Sequence, residues 1–123
     1  MVDITPLIPG NRQLIERYGD SGFRISGVAW TTSVLVRPTQ TLAWDVTRLE
    51  DLTEESLAPL LDGDVEVLLI GCGARLGMIP PKLRAAVRAR GPVIDAMDTG
   101  AACRTYNVLL AEDRRVAAAL IAL

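Results

Sequence analysis

Apolar and polar residues alternate along the first part of the chain, up to residue 47. Short apolar segments lie on both sides of Pro6, and others follow, separated by Gly, Ser and Pro, at residues 13–18, 23–25, 28–30, 33–37 and 41–46. Alternation bounded by turn residues is typical of β-strands with one buried face. The pattern therefore predicts a series of short antiparallel strands in this half of the chain.

Two apolar runs in the second half lie on either side of a helical pattern. Residues 65–70 are almost continuously apolar, which predicts a strand buried on both faces, and a second strand is predicted at 92–97. Between them, Pro80-Pro81 opens a predicted helix that ends at Gly91. A strand, helix, strand order with a crossover of this length implies a parallel pair joined by a right-handed connection.

Helical spacing also appears at residues 53–62 and beyond residue 98. The first stretch predicts a short helix with Thr53 as its N-cap. The second predicts a helix that begins at Asp98 or Thr99 and breaks at Glu112. Residues 114–123 are predicted to form a terminal helix whose apolar stripe must pack on the sheet or on another molecule: Val116, Ala117, Leu120 and Ile121. The whole chain, residues 1–123, is predicted to be a single α/β domain.

A candidate binding site follows from the predicted parallel pair, because open parallel sheets bind ligands beyond the carboxyl ends of their strands. The loops after residues 70 and 97 would meet at one edge. The start of the helix after Asp98 would add free N–H groups that favour an anion. The predicted ligand or anion pocket contains Gly71, Cys72, Gly73, Arg75, Asp98, Thr99, Cys103, Arg104 and Asn107.

Each of these features also has a structural interpretation. The glycines at 71, 73 and 77 are spaced one residue more widely than a dinucleotide fingerprint, which favours a structural loop. Arg75 and Arg104 could hold a carboxylate or phosphate, or could simply be solvated. Cys103, near a helix start, could be a reactive thiol or a small buried side chain. The basic face of the helix after Pro81 is most simply solvated, although it could also meet an acidic partner.

Composition narrows the chemistry further. Among 123 residues there is no His and there are two Cys, so imidazole catalysis and His-ligated metals are excluded. We assign no catalytic residue, metal or cofactor. A net charge of −2 argues against nucleic acid as a partner. A hydrophobic fraction of 50% leaves apolar surface for a protein partner or a homo-oligomer.

The same composition bears on the location of the protein. No apolar run approaches the ~18 residues that a membrane span requires. The first residues have neither a basic region nor an apolar signal segment. We therefore expect a soluble, cytoplasmic protein rather than an integral membrane protein.

Several segments together resemble a known family. They are Tyr18-Gly19, GFRI at 22–25, SVLV at 33–36 with Pro38 and Trp44, LLIGCG at 68–73, MDTGAACRTYN at 97–107 and RRVAAAL at 114–120. They are similar to the family of small, mostly uncharacterised domains that includes the mitochondrial complex I (NADH:ubiquinone oxidoreductase) alpha-subcomplex assembly factor and the adipogenesis-associated domain protein of animals. Cys72 departs from the family, in which threonine is more usual.

The resemblance implies a three-layer α/β fold with a mixed central sheet, helices, and an additional antiparallel β layer formed by the N-terminal half. It implies no established reaction. We therefore expect a non-catalytic protein-interaction domain that assists assembly of a respiratory NADH dehydrogenase complex, with complex subunits or assembly proteins as partners. The alternative is a small-molecule or anion-binding protein, or an unrecognised enzyme, with its site at the carboxyl ends of the parallel strands.

Overall fold

The computed structural model describes residues 12–123, so the strands predicted around Pro6 lie outside the described residues. The strands, in chain order, are β1 (Ile15–Gly19), β2 (Gly22–Ile25), β3 (Val28–Trp30), β4 (Ser33–Arg37), β5 (Gln40–Trp44), β6 (Val67–Gly71), β7 (Val93–Met97) and β8 (Val116–Leu120). The helices are α1 (Pro81–Ala89) and α2 (Thr99–Ala111), with 3-10 segments at Leu49–Asp51 and Glu55–Leu60.

The strands form two sheets. Strands β1, β2 and β3 make an antiparallel three-stranded sheet. The central sheet has the order β5-β4-β8-β6-β7 and is mixed, because β4 runs antiparallel to β5 and β8 while β6 runs parallel to β7 and β8. The predicted parallel pair, here β6 and β7, is therefore confirmed.

The central sheet separates two apolar clusters, which gives the molecule three layers. On one face, Leu68 and Ile70 of β6 belong to the same cluster as Leu83 and Val87 of α1. On the other face, Leu69 belongs to the cluster that contains residues of α2 and of the three-stranded sheet. Successive side chains of a strand point to opposite faces, so one apolar run fills both clusters. The predicted three-layer α/β fold is confirmed.

The N-terminal half divides between the layers. Only β1 to β3 form the additional β layer, whereas β4 and β5 enter the central sheet. The reason is visible in β4, where Val34 and Val36 belong to the cluster shared with α2 and the three-stranded sheet, while Leu35 belongs to the opposite cluster. A strand that is apolar on both faces loses least by lying inside a covered sheet.

The terminal helix predicted for residues 114–123 is wrong. This segment contains β8, which lies at the centre of the five-stranded sheet between β4 and β6. All five residues of β8 are buried, with Ala117 and Ala119 in one cluster and Val116, Ala118 and Leu120 in the other. Alanine favours helices in isolation, but the small side chains here fit between two covered faces, and packing overrides propensity.

The remaining predicted helices appear with modest changes. The short helix expected at 53–62 is the 3-10 segment Glu55–Leu60, and its N-cap is Glu54 rather than the predicted Thr53. The Thr53 hydroxyl, one residue earlier, accepts a hydrogen bond from the Ser56 amide at 3.0 Å. Asp98 is the N-cap of α2, as expected. None of the helices within residues 12–123 is long and apolar enough to cross a membrane.

Candidate functional site

The loops after β6 and β7 meet, as the parallel arrangement requires. The Cys72 amide donates to the Met97 carbonyl at 2.8 Å, and the Thr99 amide donates to the Gly73 carbonyl, also at 2.8 Å. Five of the predicted site residues are thus brought together at the carboxyl ends of the two strands: Gly71, Cys72, Gly73, Asp98 and Thr99. We call this set the strand-end junction.

Thr99 occupies the centre of the strand-end junction. Its side chain is fully buried, and its Oγ1 accepts a hydrogen bond from the Gly73 amide at 2.8 Å. The same hydroxyl donates to the Ile121 carbonyl, just beyond β8, at 2.8 Å. One side chain therefore satisfies the backbone of two other segments and ties α2 to the ends of β6 and β8.

Gly71 shows how little space the strand-end junction leaves. A Cβ atom at this position would lie 3.0 Å from both the Cα and the Oγ1 of Thr99, and 3.0 Å from a methyl carbon of Leu120. Contacts this short are rarely tolerated in a packed interior. The glycine is needed for close packing of the chain against itself, which agrees with the structural-loop interpretation of the glycine pattern.

The N-terminus of α2 is already occupied by groups of the protein. An oxygen of Asp98 accepts from the Ala101 amide at 2.9 Å, and the Thr99 amide is bound to Gly73. The Asp98 carboxylate also places negative charge where the helix dipole would favour an external anion. Two of the N–H groups on which the anion prediction depended therefore hold protein oxygens.

Cys103 lies one turn further along α2 and is 1% exposed. Burial raises the pKa of its thiol to about 12, against a smaller opposing effect of the Arg104 guanidinium. A thiol with that pKa carries almost no thiolate at neutral pH, so it is a poor nucleophile. Cys72 is half-buried, and both cysteines are free thiols.

Arg104 and Asn107 both contact β1. The Arg104 guanidinium lies over the Tyr18 ring, 5.8 Å from its centroid, and donates to the Tyr18 hydroxyl. Asn107 accepts from the Ile15 amide at 3.0 Å and donates to the Ile15 carbonyl at 2.7 Å. These two predicted site residues attach the three-stranded sheet to α2.

Arg75 lies beside a cleft of about 480 Å³ at the carboxyl end of β6. Cys72 and Gly73 line the same cleft, together with residues 47–50 and the last residues of the chain. The predicted pocket is thus divided between this cleft, the strand-end junction and the contact with β1. Ligand binding in the cleft stays a prediction. Within residues 12–123, no three His, Cys, Asp or Glu side chains are close enough to hold a metal.

A groove beside β7 was not predicted from the sequence. It has a volume of about 460 Å³ and is lined by Leu76, Gly77, Met78, Ile79, Arg84 and Ala96. Leu76 is 66% exposed and Met78 is 84% exposed, which is unusual for large apolar side chains. The sequence feature that could have drawn attention to this region is the segment 67–94, which contains Arg and Lys but no Asp or Glu.

The fold defines the class of protein. It is a small α/β domain with a mixed sheet, in which hydrogen bonds within the protein join the loops after β6 and β7. Residues 15–121 match the family described as a protein of unknown function (DUF498/DUF598), and the chain belongs to that family.

Two curated relatives extend this result. The chain is 36% identical over 109 residues to NADH dehydrogenase (ubiquinone) 1 alpha subcomplex assembly factor 3 of Xenopus tropicalis, covering 87% of this chain and 60% of that protein. It therefore spans about three fifths of that relative's length. It is also 37% identical over 107 residues to an uncharacterized protein of Rhodobacter capsulatus, covering 87% of this chain and 82% of that protein. The resemblance to the assembly-factor family is confirmed.

Solved structures show the same fold. A Bartonella henselae protein, described as an outer membrane protein, is 40% identical with a TM-score of 0.83, over 94% of this chain and 98% of that one. A Bordetella pertussis protein, described as an Mth938-like domain, is 28% identical with a TM-score of 0.82, over 98% of this chain and 92% of that one.

Proposed function

We propose that the chain is a non-catalytic protein-interaction domain that assists assembly of a respiratory NADH dehydrogenase complex. The observation that carries the proposal is the 36% identity, over 87% of the chain, to a protein named as an assembly factor of that complex. Subunits of the complex or other assembly proteins would be its partners. The proposal includes a cytoplasmic location, which cell fractionation tests directly.

The chemistry of the strand-end junction supports a non-catalytic role. The Thr99 hydroxyl both accepts from and donates to backbone groups of the protein, and one oxygen of Asp98 accepts from a backbone amide. Burial keeps the Cys103 thiol protonated at neutral pH. Side chains committed to packing in this way are poorly placed to bind and turn over a substrate.

Complementation of a gene deletion tests the proposal. We expect cells that lack this protein to accumulate less assembled NADH dehydrogenase complex on native gels, and the intact chain to restore it. Because the proposed role needs no thiol chemistry, a Cys72→Ala, Cys103→Ala double variant should restore the complex to within about twofold of the intact chain. Normal assembly in the deletion strain would contradict the proposal.

Capture of the tagged chain under mild detergent supplies an independent readout. Subunits or assembly proteins of the complex should co-purify with the intact chain and with the double cysteine variant alike. If the cysteine variant folds and binds these proteins but does not restore assembly, the non-catalytic part of the proposal is wrong, while the assembly role itself survives.

A further inference from the structure

Positive charge is concentrated in one segment of an otherwise acidic chain. Residues 67–94 contain five of the 13 Lys and Arg residues and none of the 15 Asp and Glu residues. Within residues 12–123, no carboxylate oxygen lies within 4.0 Å of the cationic groups of Arg75, Lys82, Arg84 and Arg88. Cations without a carboxylate partner favour an acidic partner protein.

Strand β7 is an edge strand of the central sheet, and one of these cations, Arg84, reaches it. Its Val93 amide donates to Glu66 and its Met97 carbonyl accepts from Cys72, so odd-numbered residues pair with β6 and its extension. Ile94 and Ala96 therefore direct their N–H and C=O groups to the free side of the strand. An edge of this kind can pair with another extended chain.

Two arginines of α1 donate to carbonyls in β7 or in the loop that leads into it. Arg84 Nη1 donates to the Ile94 carbonyl at 3.1 Å, and Arg88 Nη1 donates to the Gly91 carbonyl at 3.0 Å. A guanidinium has five N–H donors, so each arginine keeps several for a second acceptor. Carboxylates are the acceptors that match this planar fork most closely.

The groove beside the edge supplies apolar contact. Leu76 and Met78 line it together with Arg84 and with Ala96 of β7. Both apolar side chains are mostly exposed, so their contact area is available to a partner. The free edge of β7 and this groove together form what we call the β7 surface.

We propose that the β7 surface binds an extended, acidic segment of a partner protein as an added strand. The main chain of that segment would pair with the Ile94 and Ala96 amides and with the Ala96 carbonyl, because the Ile94 carbonyl already accepts from Arg84. Its carboxylates would meet Arg84 and Arg88, and an apolar side chain would enter the groove beside Met78. The inference rests on the proposed interaction function and identifies the surface and the chemistry of the partner.

Two other occupants fit less well. In a second copy paired antiparallel through β7 with Ile94 opposite Ala96, the two exposed Asp95 carboxylates would face each other, which is unfavourable. A membrane with anionic headgroups would match the cations but would leave the N–H groups of Ile94 and Ala96 without acceptors in a defined geometry. The edge geometry and the charge together favour an acidic strand.

Titration followed by backbone and methyl NMR tests the inference with the intact chain. The probe is a short peptide with threonine at every second position and, at the positions between them, glutamates and one leucine, so that carboxylates and an apolar side chain share the face turned to Arg84 and the groove. The matched probe carries lysine in place of glutamate. We expect the glutamate peptide to shift the amide signals of Ile94 and Ala96 and the Met78 methyl signal, and to slow exchange of both amides. The lysine peptide should bind more weakly by on the order of tenfold, and salt should reduce the difference.

Exposed positions provide variants that should not disturb the fold. Arg88→Glu and Met78→Glu should each weaken binding of the glutamate peptide several-fold. Arg17→Glu on the three-stranded sheet matches the charge change of Arg88→Glu, and Val108→Glu on α2 matches that of Met78→Glu. Both lie at exposed sites away from the groove and should leave binding unchanged.

The inference would be overturned by shifts that map away from β7, by equal binding of both peptides, or by vesicles rich in phosphatidylglycerol binding the chain where the glutamate peptide does not. Concentration-dependent dimerisation through β7 would also overturn it, in favour of a second copy. None of these results depends on the respiratory complex, so failure here leaves the complementation experiment to decide the proposed function.

Discussion

At the scale of single residues, Thr99 shows how a hydroxyl can fill the place where a ligand was expected. Its oxygen bonds the Gly73 amide and the Ile121 carbonyl at 2.8 Å each. The meeting of the two loops could be predicted, because parallel neighbours end at the same edge. The hydrogen bond from Thr99 to Ile121 could not be predicted, because the Ile121 carbonyl reaches Thr99 only when residues 116–120 form a strand, and these residues were predicted to be helical.

The two thiols should differ sharply in reactivity. Cys103 is 1% exposed and its pKa is raised to about 12, whereas Cys72 is half-buried beside the cleft. With iodoacetamide at pH 8, we expect mass spectrometry to find one label, on Cys72, in the native protein and a second label only after unfolding. A Cys72→Ser variant should remain unlabelled while folded. Rapid native labelling of Cys103 would show that α2 opens or that the thiol is activated.

At the scale of elements, β8 is the one described element whose type the local sequence pattern predicted wrongly, because packing rather than periodicity decides it. Periodicity identified α1, α2, β6 and β7, since each has a distinct apolar face or run and recognisable end residues. The Val116–Leu120 segment is uniformly apolar and rich in alanine, so neither a period of 2.0 nor one of 3.6 stands out. Only the presence of β4 and β6 on either side decides that it is a strand.

Enlarging an alanine of β8 tests its central position. Ala119 is fully buried in the cluster that includes Leu68, so Ala119→Leu should overpack the space between the sheet and α1. We expect the free energy of unfolding, measured with urea, to fall by about 1–3 kcal/mol. Ala111→Leu, at the exposed end of α2, is the matched control and should change it by less than about 0.5 kcal/mol. Equal effects would place β8 outside the core.

At the scale of the whole molecule, the three-stranded sheet is attached to the rest largely through one face of α2. Asn107 holds the backbone of Ile15, and the Tyr106 hydroxyl donates to the Gln13 carbonyl at 2.9 Å. The central sheet, by contrast, is covered on both faces; β8 is its middle strand and β6 lies next to it. Unequal coverage of this kind leads to local opening before global unfolding.

Native-state hydrogen exchange should resolve these two levels of stability. We expect the amides of β6 and β8 to exchange only by global unfolding, and those of β1 and β2 to exchange faster, through opening of the small sheet. Asn107→Ala leaves the amide and carbonyl of Ile15 without their side-chain partner, so it should accelerate exchange in β1 and β2 beyond any change in β6 and β8. Val108→Ala, at the neighbouring exposed position, is the control. Equal acceleration in all strands would instead show that the small sheet and the central sheet unfold as one unit.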